Sequence, residues 1–344
     1  MSYRDIISDN CKNHSAVNWW PRFAYHYTDI TNAVNILSSG FIYSRLNAQQ
    51  FGVMKNDNAS RQVIDVTNYD TVSSVRFYFR PMTPTQYYNE GYKHYQLRYD
   101  NDTNANTPVP VFFLFDLEKI LSKNGVKFSE RGQAGNGSEL FEGEEAFSKL
   151  NFDNIYSVGG QKIEEVKSYR HAEINYPGKI EIAEYISFIL CRNEIEKTSL
   201  LNMLRKTNPK QFALYRNLIK VCKQDMFLKN GLFITDCRYY NGGIVIKFAD
   251  TYNKKYYTSR QKAKNSVKKL TPVKLMLTVE WFNARRIVEQ KQISTEIDYE
   301  EAKPVNLNGL IGAKEATSIS IKVEIDGNTM CYIEQPIDSS VIIR

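Results

Sequence analysis

The sequence predicts an α+β protein, and three observations lead there. Short apolar or aromatic strand candidates alternate with short, well-capped helix candidates through the first 205 residues. One of those strands, Val109-Pro110-Val111-Phe112-Phe113-Leu114-Phe115, is apolar almost throughout, as expected for a strand buried on both faces. From residue 275 onward strand candidates dominate, with Asp326-Gly327 as a turn between two of them. The length allows one large domain or two smaller ones.

The elements follow in order. Ala24-Tyr25-His26-Tyr27 reads as an aromatic strand. Thr28 and Asp29 are candidate N-caps for a helix that carries Ile30, Val34, Ile36 and Leu37 and ends at Gly40. His26 and Thr28 therefore sit at a strand-to-helix junction, where free backbone N–H groups can receive an anion or ligand. A lone histidine there more often simply bonds a backbone carbonyl. Phe41-Ile42-Tyr43 is the next strand, and residues 47–74, which include Arg61, read as a long polar loop. Val75-Arg76-Phe77-Tyr78-Phe79 is a strand broken by Arg80-Pro81-Met82, and Thr83-Pro84-Thr85-Gln86 starts a short helix. After the apolar strand, Asp116 caps a helix over Leu117–Lys123. Residues 138–150 read as a helix and Ile155-Tyr156-Ser157-Val158 as a strand. Residues 180–182 and 185–191 read as strands or buried segments. Asn193 to Glu196 forms a capping box for a helix reaching Leu204, and a second helix is expected over Lys210–Cys222. Later strands are expected at 244–248, 276–281, 319–325 and 330–333.

Composition narrows the class. The chain has 344 residues, more than one average domain, and 42% hydrophobic residues, enough for a sizeable core. A net charge of +7 suits anionic partners. Five cysteines (Cys11, Cys191, Cys222, Cys237, Cys331) are scattered with no CxxC pair, so reduced thiols are expected rather than a zinc ribbon or a disulfide framework. No metal cluster is apparent. Met1-Ser2-Tyr3-Arg4-Asp5 lacks an apolar signal core, and no apolar run reaches membrane-spanning length. A soluble, cytoplasmic protein with no membrane contact is the expectation.

Two stretches carry chemistry. Tyr169-Arg170-His171-Ala172-Glu173-Ile174 reads as a loop running into a strand, which would fix the Glu173 carboxylate beside a segment that can admit substrate. Taken alone, a strand glutamate most often faces solvent. Residues 254–274 hold eight lysines and arginines, among them Lys262, Lys264, Lys268 and Lys269, together with Tyr256 and Tyr257 and no acidic residue. Such a run suits a phosphate backbone with stacked bases, and equally a solvated basic loop.

Taken in order, His26-Tyr27-Thr28, Arg61, Phe77-Tyr78-Phe79-Arg80-Pro81-Met82 and Arg170-His171-Ala172-Glu173 resemble the DarT family of nucleic-acid ADP-ribosyltransferase toxins, over roughly residues 20–205. The related messenger-RNA-modifying toxins typified by CmdT are similar in outline. The resemblance implies a split mixed β-sheet with flanking helices over a first domain, residues 1–205, with residues 206–344 as an accessory domain. It also implies transfer of ADP-ribose from NAD to a base of single-stranded DNA or RNA, with release of nicotinamide and no metal. Breaking that glycosidic bond builds positive charge on the ribose, which a fixed carboxylate stabilises.

In that scheme Glu173 is the catalytic carboxylate, and Arg61, the second catalytic candidate, would sit near the pyrophosphate or the target base. The surroundings of Arg61 depart from the family pattern, so Arg45 and Arg80 are alternatives. His26, Thr28, Tyr78, Arg80 and Met82 would hold NAD. Tyr169, Arg170 and His171 would meet the target base, at the end of a substrate-recognition loop over Gly159–Arg170. Lys262, Lys264, Lys268 and Lys269 would widen the nucleic-acid footprint. An antitoxin, of macrodomain or other type, and a chaperone are the implied protein partners. Two competing readings are a non-enzymatic nucleic-acid binder and an ADP-ribosyltransferase that acts on protein.

Overall fold

The computed structural model describes residues 1–52, 72–98, 106–133, 138–160 and 163–337. Its first half is built on a seven-stranded sheet. The strands, numbered in chain order, are β1 (Phe23–Asp29), β2 (Phe41–Tyr43), β3 (Ser74–Tyr78), β4 (Pro110–Asp116), β5 (Lys127–Ser129), β6 (Glu173–Pro177), β7 (Lys179–Glu181), β8 (Ile186–Cys191) and β9 (Ile219–Val221). The sheet order is β5-β6-β3-β1-β4-β8-β9, antiparallel except for β8 with β9. The short strands β2 and β7 pair apart from it. This is the mixed, split arrangement expected.

β4 lies inside the sheet and is buried from Pro110 to Phe115. Val111, Phe113 and Phe115 join a core with Ala24, Phe77 and Ile174, while Phe112 and Leu114 join a second cluster with Tyr25, Met226 and Phe227. Strand alternation places each set on its own face. The helix Ile30–Ser39 begins where the Asp29 carboxylate accepts from the Thr31 N–H, and it ends at Gly40 in the left-handed region, φ 78°.

Several elements differ from expectation. Residues 155–158 form no strand: Asn151 caps a helix over Phe152–Ile155, and Tyr156 is buried by the turn that follows. The helix expected over 138–150 is confined to Glu144–Ser148, because Gly143 (φ 86°) turns the chain just before it. The helix expected over 210–222 is Pro209–Tyr215. The β-branched pair Ile219 and Val221 instead extends the sheet as β9. Tyr215 and Ile219 are buried in the first core, so that core reaches past residue 205. Within the expected 47–74 loop, helix Arg45–Gln50 occupies the start, and residues 53–71 lie outside the described set. The basic run begins as a helix, Tyr252–Lys264.

The C-terminal half has a separate core, formed by a three-stranded sheet and a four-stranded antiparallel sheet. Its strands are β10 (Ile234–Tyr240), β11 (Gly243–Phe248), β12 (Val273–Asn283), β13 (Arg286–Ile297), β14 (Val305–Leu307), β15 (Ser318–Ile325) and β16 (Asn328–Pro336). Tyr92 and Leu97 cross over from the first half into this core. A buried polar network pins the crossing. Glu90 accepts from the backbone N–H groups of Leu228 and Lys229 (2.7 Å each) and lies 3.6 Å from Arg192, which pairs closely with Glu196. Among the described residues no helix is long and apolar enough to cross a membrane.

Candidate active site

The expected catalytic carboxylate, Glu173, is the first residue of β6 and sits opposite Tyr78 on β3. It is not a surface residue: 2% of it is exposed. Arg76 lies two residues before Tyr78, so its side chain is the diagonal neighbour of Glu173 on the same face. The guanidinium grips both carboxylate oxygens. Nε donates to Oε2 at 2.8 Å, and Nη2 donates to Oε1 and Oε2 at 2.6 Å each. Such planar, bidentate pairing is specific to arginine. Burial raises Glu173 above the usual carboxylate range, and Arg76 and the Gln133 backbone N–H pull the other way. Burial opposes the Arg76 charge as well, but the Glu173 carboxylate more than offsets it.

An open cavity of about 240 Å³ lies beside this pair. Arg76, His26, Thr28 and Tyr78 line it, together with Arg45, Asn35 and Tyr43. Glu173 is not part of the lining; Arg76 stands at the wall in front of it. The His26 ring packs edge-on to Phe77 and Phe113, and Nδ1 lies 3.2 Å from the Arg76 carbonyl. Burial lowers the pKa of this histidine, so at neutral pH the ring is uncharged. With Nδ1–H donating to that carbonyl, Nε2 is left as an acceptor. The two readings of His26 are therefore compatible: it bonds a backbone carbonyl and also lines the cavity. The mixture of arginines, amides, hydroxyls and aromatic rings around this space fits a ligand with phosphate, ribose and planar-ring parts.

The remaining candidates divide. Arg80 and Met82 do not line the cavity. Arg80 is buried; its Nη1 donates to the carbonyls of Ile155 (2.8 Å) and Ser157 (2.6 Å), and it lies over the Trp20 ring. Burial, with the nearby Arg170 charge, pushes it down to about 9. Met82 takes a left-handed backbone, φ 57°, and packs on the first core. Tyr169–His171 forms a single turn leading into β6. The Tyr169 hydroxyl accepts from Arg131 at 2.8 Å, and Arg170 donates to Ser157 and the Gly159 carbonyl. His171 is pushed down to about 4, mainly by burial and also by Lys167 and Arg76, so it is neutral at physiological pH. Lys262 is held by both oxygens of Glu300 at 2.9 Å, while Lys264, Lys268 and Lys269 are exposed. Arg61 lies outside the described residues. Among the described residues no group of three or more His, Cys, Asp or Glu side chains could hold a metal ion.

Sequence reasoning missed Arg76. The available signal was a cation alternating with aromatic residues on a strand, which is expensive to bury without a carboxylate partner.

A protein-family model described as DarT, ssDNA thymidine ADP-ribosyltransferase, matches residues 25–227. No curated protein matches. Solved structures with similarity include Thermus sp. 2.9 DarT in complex with carba-NAD+ (18% identity, 60% of this chain, 98% of that chain, TM-score 0.46). The same protein in complex with ADP-ribosylated ssDNA aligns at 19% identity over 60% of this chain and 96% of that chain, TM-score 0.48. Thermosipho africanus DarTG in complex with ADP-ribose aligns at 17% identity over 60% of this chain and 51% of that chain, TM-score 0.44.

Proposed function

The chain belongs to the DarT family of ssDNA thymidine ADP-ribosyltransferases, and from that premise we propose that it transfers ADP-ribose from NAD to a base of single-stranded DNA, with release of nicotinamide. The observation that carries the reading is Glu173, a buried carboxylate held on a strand by Arg76 beside a polar and aromatic cavity. NAD supplies the reactive glycosidic bond. Glu173 provides a fixed negative charge next to the sugar as that bond breaks and positive charge grows there. One carboxylate oxygen exchanges its Arg76 bond for a ribose hydroxyl or for the proton that the base nitrogen loses as the new bond forms. Because burial raises its pKa, Glu173 suits that proton.

His26 offers an acceptor at Nε2, Thr28 offers a hydroxyl, Tyr78 offers a ring wall, and Arg45 offers a guanidinium to the phosphates. Tyr169 and His171 flank the approach of the base, with Arg170 holding their turn in place through its bonds to Ser157 and Gly159. The protein is proposed to act in the cytoplasm. Modification of the cell's own DNA is harmful, so an antitoxin partner belongs to the same proposal.

The test uses labelled NAD with single-stranded DNA, single-stranded RNA, duplex DNA and a protein extract, each beside Glu173→Ala. Label on single-stranded DNA that disappears in the variant supports the proposal. Label on RNA alone, or on protein alone, overturns the acceptor. No label anywhere, with nucleic acid still bound, leaves a binding protein.

A further inference from the structure

The C-terminal half carries an aromatic surface that the reaction above leaves unused. On helix Tyr252–Lys264, Tyr252 and Tyr256 are 78% and 52% exposed, and their rings stack at 6.2 Å with 19° between planes. Arg260 continues the same helical face, since positions i, i+4 and i+8 share one side. Its side chain lies near Tyr87, Tyr256 and Tyr88. Tyr87 and Tyr88 stand edge-to-face at 5.2 Å, and Tyr87 meets Tyr257 of the basic helix at 5.3 Å. The two tyrosines lie on helix Pro84–Asn89, whose Thr85 and Asn89 line the active-site cavity. Helix Pro84–Asn89 thus lies between the cavity and the basic helix that carries the exposed tyrosines.

Contiguous exposed aromatic surface marks an interaction site more readily than single scattered residues do. Charge selects what covers this one. No acidic residue occurs from Thr251 to Thr271, a stretch in which Arg260, Lys264, Lys268 and Lys269 are exposed and Lys255 pairs with Asp250 just before it. An anionic polymer with planar faces fits; a single strand satisfies both demands at once, through stacking on tyrosine and phosphate contacts to the cations.

We propose that Tyr252, Tyr256 and Arg260 form a track for the single-stranded DNA that continues beyond the nucleotide held in the cavity. This rests on the nucleic-acid reading of the active site. It shifts weight within the basic run: Lys262 is held by Glu300, and the tyrosine face with Arg260 does the binding.

The test is fluorescence anisotropy with labelled oligothymidylates of about 20 and about 4 nucleotides, the latter near the smallest strand-binding sites. The variants are Tyr252→Ala/Tyr256→Ala, Tyr252→Phe/Tyr256→Phe and Arg260→Gln, with circular dichroism to verify folding. The double alanine variant should bind the long strand roughly ten-fold or more weaker, the double phenylalanine variant within about two-fold of wild type, and the short strand should not distinguish them. Arg260→Gln should weaken long-strand binding and flatten its salt dependence. In turnover, KM for the long strand should rise with kcat unchanged. Long-strand binding that ignores the tyrosines overturns the track even where DNA labelling is normal, and leaves the surface to a protein partner. Tyrosine-dependent binding without any labelling upholds the track and overturns the proposed reaction.

Discussion

Arg76 and Glu173 form a two-toothed ion pair across neighbouring strands, with the arginine at the cavity wall and the carboxylate behind it. The geometry follows from strand register. Tyr78 opposes Glu173, so Arg76 reaches the carboxylate diagonally along the same face. The pair holds the carboxylate in one orientation and keeps it out of water before substrate arrives.

Arg76→Gln should therefore lower kcat/KM on the order of 100-fold while Glu173 stays in place. Arg76 counteracts the effect of burial on Glu173, so losing it raises the Glu173 pKa further. The acidic limb of the pH–rate profile should then move to higher pH. Arg76→Lys should fall between, since it keeps the charge and loses the fork. A stopped-time pH series on the three proteins measures this. An acidic limb that stays put would show that Glu173 does not set it.

The same shift predicts a stability trend. Folded Glu173 binds its proton more tightly than the unfolded chain does, because its native pKa is raised. Its contribution is fully present below the unfolded pKa and is lost as pH rises through the folded one. Glu173→Gln should accordingly flatten the thermal stability profile across that window, as melting temperatures at several pH values would reveal.

Arg80 should behave as a structural residue. It is buried, its guanidinium bonds three backbone carbonyls (Ile155, Ser157 and Pro81), and it packs over Trp20. Arg80→Ala should destabilise the fold by about 3 kcal/mol, because buried acceptors lose their donors together. Urea denaturation and an NAD titration separate the possibilities. Weakened NAD binding with unchanged stability would return Arg80 to the cofactor site.

Two features at the junction of the halves predict losses of stability. Glu196→Ala removes the close carboxylate partner of the buried Arg192, leaving Glu90 3.6 Å away, and should cost about 3–5 kcal/mol. Gly231 passes so close to Gly91 that an added Cβ would stand 2.8 Å from the Gly91 Cα. Gly231→Ala must push two backbones apart and should cost about 1–3 kcal/mol. Chemical denaturation of each variant checks both figures.

Much of the first sheet was legible because its strands are short, apolar and punctuated by strong caps. Asp29, Asp116 and Asn193 each accept a backbone N–H at a helix start. Legibility failed where a cap competed with an apolar run: Asn151 starts a helical turn that takes in Ile155 and ends at Tyr156, whose pattern alone suggests a strand. It also failed for contacts made through register. Glu173 could be read as a strand residue, but its pairing with Arg76, 97 positions earlier, depends on which strands adjoin. The basic run was read as one charged stretch, yet its helical part sorts it by face: Lys254 is buried, Lys262 is paired, and Tyr252, Tyr256 and Arg260 face out.

The most direct measurement is the intact mass of a single-stranded oligothymidylate after incubation with NAD and either wild-type protein or Glu173→Gln, with nicotinamide quantified in the same samples. The account predicts a gain of one ADP-ribose on the strand, matched by one nicotinamide released, and neither with the folded variant. A strand of unchanged mass with the wild type, or an equal gain with Glu173→Gln, would contradict it.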